Sequence, residues 1–387
     1  MAARRIDGNA VLDLASELIA RPSVTPRDAG CQELIAARLA AAGGRIRRWG
    51  FGAVDNLLVT FGEESGARRR HLMFLGHTDV VPAGDEQAWR SPPFSPEVRD
   101  GVLYGRGAAD MKGAVAAMVV ALECWAAARP AGGKVSLLLT SDEEGEARDG
   151  IRRVAPLLAA EGLVPDYCLV GEPSCTARLG DTVRRGRRGS MYFTGEWHGA
   201  AGHSAYQDPA ANPAHRAVRA LAALTAVDFA DGGADFPGTT LNLTRLESVG
   251  GAGNVTPARS LAEGNLRHPP SSPARVLQQR LSAAMQAAGA APDRLEWDVR
   301  AEPYYTAAGQ LLAVLDRAIA AQLGSAAHLD TGGGTSDGRF LAALGAEVAE
   351  FGLVNRTIHR VDESTPVADL ERLAEIYLAL IDPLLTQ

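Results

Sequence analysis

The chain has 387 residues, more than a single hydrophobic core usually organises, so two domains are expected. Apolar residues make up 46% and charged residues 22%, the balance of an ordinary globular fold, and a formal net charge of −7 argues against a nucleic-acid-binding surface. No apolar run approaches the roughly 20 residues of a membrane span, and four scattered cysteines (Cys31, Cys124, Cys168, Cys175) form no CxxC pair, which favours a reducing cytoplasm.

The opening "MAARRIDGNAVLDLASELIA" reads as an amphipathic helix carrying Asp13 and Glu17, a poor signal peptide. Strand-like runs follow at "HLMFLGHTD" (71–79), "KVSLLLTSDEE" (134–144) and "DYCLVGEP" (166–173), each ending in polar residues. Between the first two, "MKGAVAAMVVALECWAAA" (111–128) is apolar almost all round, as a buried crossover helix is. This alternation predicts an α/β domain with a mostly parallel central sheet. From residue 189 the order becomes strand, helix (212–227), strand (239–249), strand (259–267), helix (272–289), strand (293–302). That is a split βαβ, ferredoxin-like arrangement. Helix–strand alternation then resumes, so the second domain is expected to be inserted: 1–188 and 303–387 form one domain, 189–302 the other.

In open α/β sheets ligands bind beyond the carboxyl ends of the strands. At those ends stand His77 and Asp79, then Asp142, Glu143 and Glu144, then Glu172. Asp110 precedes the buried helix and His359 follows the run "EVAEFGLV". Taken singly, "DEEG" is a solvated turn, "HTD" a strand-end histidine satisfied by an aspartate, Asp110 a helix cap. Together they form a ring of carboxylates with two imidazoles, untenable as bare charge and sensible around divalent cations. Nitrogen and oxygen donors without sulfur suit zinc or a similar first-row ion. Five candidate ligands exceed the three of one open zinc site, which points to two ions about 3.5–4 Å apart. Adjacent residues leaving a strand point to different sides, so of Glu143 and Glu144 one can bind metal while the other acts as general base. In "HTD", Asp79 is placed to accept the second ring N–H of His77.

The segments "GHTDVVPAG" (76–84), "GRGAADMKG" (105–113), "TSDEEG" (140–145) and "GEP" (171–173) resemble the metallopeptidase family M20 of dinuclear zinc hydrolases. The resemblance runs from about residue 10 to the C-terminus and implies a role for each residue. Asp110 would bridge both ions, His77 and Glu172 completing one site and Glu144 and His359 the other. Glu143 would be the general base, with Asp79 behind His77. Two Zn²⁺ are implied, with Co²⁺ able to substitute.

Within the family, "GRRGS" (186–190), "NPAHRA" (212–217), "GGGTSDGRF" (332–340) and "NRTIHRVDE" (355–363) resemble the members that hydrolyse N-succinyl-LL-2,6-diaminopimelate to succinate and LL-2,6-diaminopimelate. "GHSAYQDP" (202–209) and "NLRHPP" (265–270) depart from that pattern and bear on substrate shape. The substrate carries three carboxylates and one ammonium. Arg187, Arg188, Arg267 and Arg339 suit those anions through charge-assisted bonds. Ser190, Asn254, Thr335 and Asn355 are neutral hydrogen-bonding candidates. His203 matches a histidine that in the family reaches across a homodimer to stabilise the oxyanion, which implies dimerisation through the inserted domain. His71, His198, His215, His268 and His328 are expected to be structural. Two other readings stay open: deacylation of another N-acyl amino acid such as N-acetylornithine, and a metal- or amino-acid-binding protein without catalysis. Neither nucleic acid nor membrane is an expected partner.

Overall fold

Seven consecutive buried residues, HLMFLGH, form the strand His71–His77. They do not alternate because the strand is covered on both faces. It lies between two parallel neighbours, Lys134–Thr140 and Tyr167–Val170, and Glu347–Glu350 extends the parallel run on the far side of Tyr167–Val170. The computed structural model describes residues 5–62, 70–128 and 132–386. Among these the central sheet has eight strands, with a parallel middle as expected. One edge is antiparallel: Arg45–Phe51 pairs with Val54–Phe61, which pairs with Lys134–Thr140. This hairpin is not signalled by the sequence, because RIRRWGF carries three arginines and lies on a solvent-facing edge.

The helix Lys112–Ala127 is buried from Lys112 through Leu122, and packs against Gly8–Ile19 and Val367–Leu385. Phe74 of the central strand meets Tyr377 at a ring-centroid distance of 5.5 Å, and the Tyr377 hydroxyl donates to the Phe351 carbonyl at 2.7 Å. Burying each large side chain of this kind contributes about 1.5–3 kcal/mol. Lys112 is buried too, its ammonium donating to the carbonyls of Leu18 and Arg21 at 2.8 and 2.7 Å. Those carbonyls lie at and just past the end of Gly8–Ile19, so the start of the long helix is pinned beside Asp110.

Two compact units emerge. The first comprises Met1–Arg185, Thr306–Asp330 and Ser336–Gln387, the second Gly186–Tyr305 and Thr331–Thr335. The change-over thus falls at 185/186 and 305/306 rather than at 188/189 and 302/303. The reason is a short antiparallel pair, Gly186–Arg187 with Tyr304–Tyr305, that ties the entering and leaving chain together inside the second unit. Residues 331–335 also join it. The Arg187 guanidinium donates to the Gly332 carbonyl at 2.7 Å, and the Thr331 hydroxyl donates to the Asp235 carbonyl.

The main sheet of the second unit has four antiparallel strands, Gly189–His198, Thr240–Ser248, Arg259–His268 and Arg294–Ala301. In space the last of these is followed by the first, the third and the second. The helices Pro213–Thr225 and Ala274–Ala287 pack against each other and bury Leu221, Leu224, Leu277 and Leu281 with Phe193 and Trp197 of the first strand. This is the split βαβ arrangement.

Candidate active site

Parallel register makes the strands end together. His77 lies opposite Thr140, and Leu75 opposite Val170. His77, the Asp142–Glu144 run and Glu172 therefore leave one edge of one sheet. Asp110 is delivered by the turn before Lys112–Ala127. His359 comes from the segment after Glu347–Glu350, with a φ of 60° that few non-glycine residues adopt.

These side chains converge. His77 Nε2 lies 3.3 Å from Asp110 Oδ1 and 3.6 Å from Glu172 Oε1. His359 Nε2 lies 3.4 Å from Asp110 Oδ2 and 3.0 Å from Glu144 Oε1. Two groups result, His77–Asp110–Glu172 and Asp110–Glu144–His359, with the ligand atoms of each within 4.8 Å of one another. Asp110 belongs to both and turns one oxygen to each. His77 Nε2 and Asp110 Oδ1 are buried and make no hydrogen bond, although they face each other. Unsatisfied buried polar atoms are costly, and a cation held between them would satisfy both. The residues fit a pair of divalent ions.

The local field shows the same thing. Burial alone would depress the His77 pKa, but Asp110, Glu172, Asp79 and Glu143 overcome it and raise it well above the ordinary value. Asp110 and Glu144 raise His359 to about 10. Burial opposes ionisation of Asp110, yet the neighbouring imidazoles of His359 and His77 hold its carboxyl below the usual range. Burial first, then the charge of Glu172, pushes Glu143 far upward. Without metal, both imidazoles are therefore protonated near neutral pH and stand in for cations. The stability they add is complete below the unfolded value of 6.5 and is lost as pH rises through about 10 for His359. Divalent metal must displace one proton from each ring. Calorimetric metal binding near neutral pH, repeated in buffers of different ionisation enthalpy, should thus show proton release; heats that do not vary with buffer contradict this.

The supporting acids differ in part from expectation. His77 Nδ1 is 2.9 Å from the backbone carbonyl of Asp79 and 3.6 Å from its carboxylate. The Asp79 carboxylate instead accepts the backbone N–H groups of Glu143 and Glu144, at 3.3 and 3.1 Å. The Asp79 carbonyl is thus nearer the ring, and the carboxylate is left to hold the backbone of the two glutamates. Asp142 closes its own loop, accepting from the N–H groups of Ala147, Arg148 and Asp149 at 2.9–3.2 Å. Asp337 was not foreseen: it is buried, its carboxylate oxygens accept no hydrogen bond, and burial raises it to about 6.

Residues 73–382 match the pattern of peptidase family M20/M25/M40. The chain belongs to the M20 family. This M20 chain is 49% identical to a succinyl-diaminopimelate desuccinylase of Stenotrophomonas maltophilia, covering 97% of this chain and 100% of the relative. It is 50% identical to a protein of the same name from Xanthomonas oryzae pv. oryzae, over 98% of this chain and 100% of that one. Among solved structures, its fold is similar to aminopeptidase PepT from Bacillus cereus, with a TM-score of 0.77, 20% identity and coverage of 98% and 99%. It is also similar to a Bacillus subtilis protein described as a dinuclear metal binding peptidase from the M20 family, with a TM-score of 0.68, 15% identity and coverage of 97% and 98%.

The remaining candidate residues of this M20 enzyme fall in several places. In the second unit, strand register sets Ser190 opposite Arg267. Burial and the neighbouring charge of Arg267 lower the Arg188 pKa, and Arg188 Nε is buried without a hydrogen bond. Asn254 and His203 are exposed neighbours, Nδ2 to Nε2 at 3.3 Å. Arg187 is engaged by Gly332, and Thr335 belongs to the same unit. In the first unit Arg339 is mostly buried, donating to the Ser336 carbonyl at 2.7 Å and lying 3.8 Å from Asp337. Asn355 opens a short 3-10 turn, its backbone N–H bound to the Cys175 carbonyl.

Proposed function

We propose that this chain hydrolyses N-succinyl-LL-2,6-diaminopimelate to succinate and LL-2,6-diaminopimelate. The observation that carries the reading is identity of about half, over nearly the full length of both chains, with relatives named for that activity. The converged acids and imidazoles supply the chemistry. His77, Asp110 and Glu172 would hold one cation, and Asp110, Glu144 and His359 a second. Their nitrogen and oxygen donors suit Zn²⁺, and Co²⁺ as a substitute. Such a pair, when bound, polarises an amide carbonyl and brings the pKa of water toward neutrality.

Glu143 is the base. It takes a proton from the attacking water as the new C–O bond forms, and returns it to the departing nitrogen as the amide C–N bond breaks. Asp79 keeps Glu143 and Glu144 in different roles by fixing their backbone. Arg187, Arg188, Arg267 and Arg339 hold substrate carboxylates, with Ser190, Asn254, Thr335 and Asn355 as neutral partners. His203 stabilises the oxyanion from the other subunit of a homodimer. Support for that assembly is the edge strand Thr240–Ser248, where Leu246 is 54% exposed and Leu243 39%. Four free cysteines suit the cytoplasm, and among the described residues no helix is long and apolar enough to cross a membrane.

Turnover of N-succinyl-LL-2,6-diaminopimelate by metal-loaded protein, with N-acetylornithine alongside, tests the reading. The succinyl compound should be preferred by about 10²-fold or more in kcat/KM, because buried charged donors are left unpaired by the acetyl group. Preference for the acetyl compound would move the chain to the deacetylase branch. No turnover of either, with metal bound, would favour a binding protein.

A further inference from the structure

Four residues past His359 stands Glu363, fully buried although acidic. One short stretch of chain saturates its carboxylate. Oε1 accepts the backbone N–H groups of Ala109 and Asp110, both at 3.0 Å. Oε2 accepts the N–H of Gly107 at 3.1 Å and Arg106 Nη1 at 2.7 Å. The backbone carbonyl of Glu363 takes the N–H of Gly105 at 2.9 Å. One residue thus grips the whole turn that ends in Asp110.

Glu363 is joined as firmly to His359. The N–H of Ser364 donates to the Thr357 hydroxyl at 3.1 Å, and that hydroxyl donates to the Ser364 carbonyl at 2.9 Å. This clasp closes residues 357–364 into a loop, within which His359 and Asp362 both have positive φ. Arg106 adds a second tie, its Nη1 reaching the Arg360 carbonyl at 3.2 Å. A neutral amide cannot replace the carboxylate. Whichever way it turned, its NH₂ would confront two donors, and Arg106 would lose its buried counter-charge.

We infer that Glu363 is a positioning residue: it holds Asp110 and His359 in register and so sets the affinity of the cation group Asp110–Glu144–His359. The inference rests on the metal-centre reading above. The group His77–Asp110–Glu172 shares only Asp110 with this device and should respond less.

The test is calorimetric titration of metal-free protein with Zn²⁺. Wild type should show two binding events, and His359→Ala should identify the one that belongs to its group. Glu363→Gln should weaken that same event by about 10–100-fold, the usual effect of losing a partner behind a ligand. The other event should shift less, and kcat should fall with KM little changed. Thr357→Val, which breaks only the clasp and leaves the Glu363 contacts intact, should weaken the same event by about 10-fold. It decides the matter if Glu363→Gln does not fold. Variants that titrate like wild type, even with a lowered Tm, would reduce Glu363 to a structural residue and overturn the inference. Absence of Zn²⁺ binding to wild type would instead remove the metal-centre reading beneath it.

Discussion

Glu143→Gln should lower kcat by about 10²–10⁴-fold while leaving both metal ions bound. The substitution keeps size and shape and removes the ability to accept a proton. Glu143 lies outside both ligand groups, and its backbone is anchored by Asp79 rather than by its own side chain. Its carboxyl is pushed upward first by burial and then by Glu172, which makes it a strong proton acceptor once ionised. A loss of 10²–10⁴ amounts to about 3–5 kcal/mol of barrier, the share a positioned base supplies. Steady-state kinetics together with metal analysis of the same sample checks this. Metal content falling in step with kcat would make Glu143 a ligand and remove it as the base.

Asp110→Ala should be more damaging, because it removes a ligand from two groups at once. Its oxygens lie 3.3 Å from His77 Nε2 and 3.4 Å from His359 Nε2. Without it each group retains two protein donors, fewer than the three a catalytic site normally uses. Both ions should be lost on dialysis, and with them several kcal/mol of transition-state stabilisation, about 10³-fold or more in rate. His359→Ala supplies the comparison: it should cost one ion and spare the other. Equal metal retention by the two variants, measured by atomic emission, would show that Asp110 is not shared.

Much of this site was legible because parallel strands end at one edge, so acids that follow buried runs must gather there. His77, Glu143, Glu144 and Glu172 are of that kind. The helix Lys112–Ala127 was legible from its unbroken apolar run, and the second unit from its alternation of strands and helices. What escaped has a common physical origin. The sequence singles out Asp79 for its place beside His77, but not its hold on the Glu143 and Glu144 backbone, nor Glu363: both accept backbone N–H groups, and backbone amides leave no trace in residue type. In "NRTIHRVDE" the histidine advertises its chemistry, whereas the final glutamate looks like a surface acid. The edge strand Arg45–Phe51 reads as a polar surface, since only its pairing makes it a strand. The bond from Arg339 to the Ser336 carbonyl is likewise a backbone contact that residue type does not show. Residues 331–335 join the second unit through bonds to Arg187 and Asp235, contacts between positions far apart in the chain.

Anomalous scattering from crystals of the zinc-loaded protein tests the two-cation arrangement most directly. Two peaks about 3.5–4 Å apart are expected, one bounded by His77 and Glu172, the other by Glu144 and His359, with an Asp110 oxygen on each. A single peak, or peaks that leave Asp110 without metal, would contradict it.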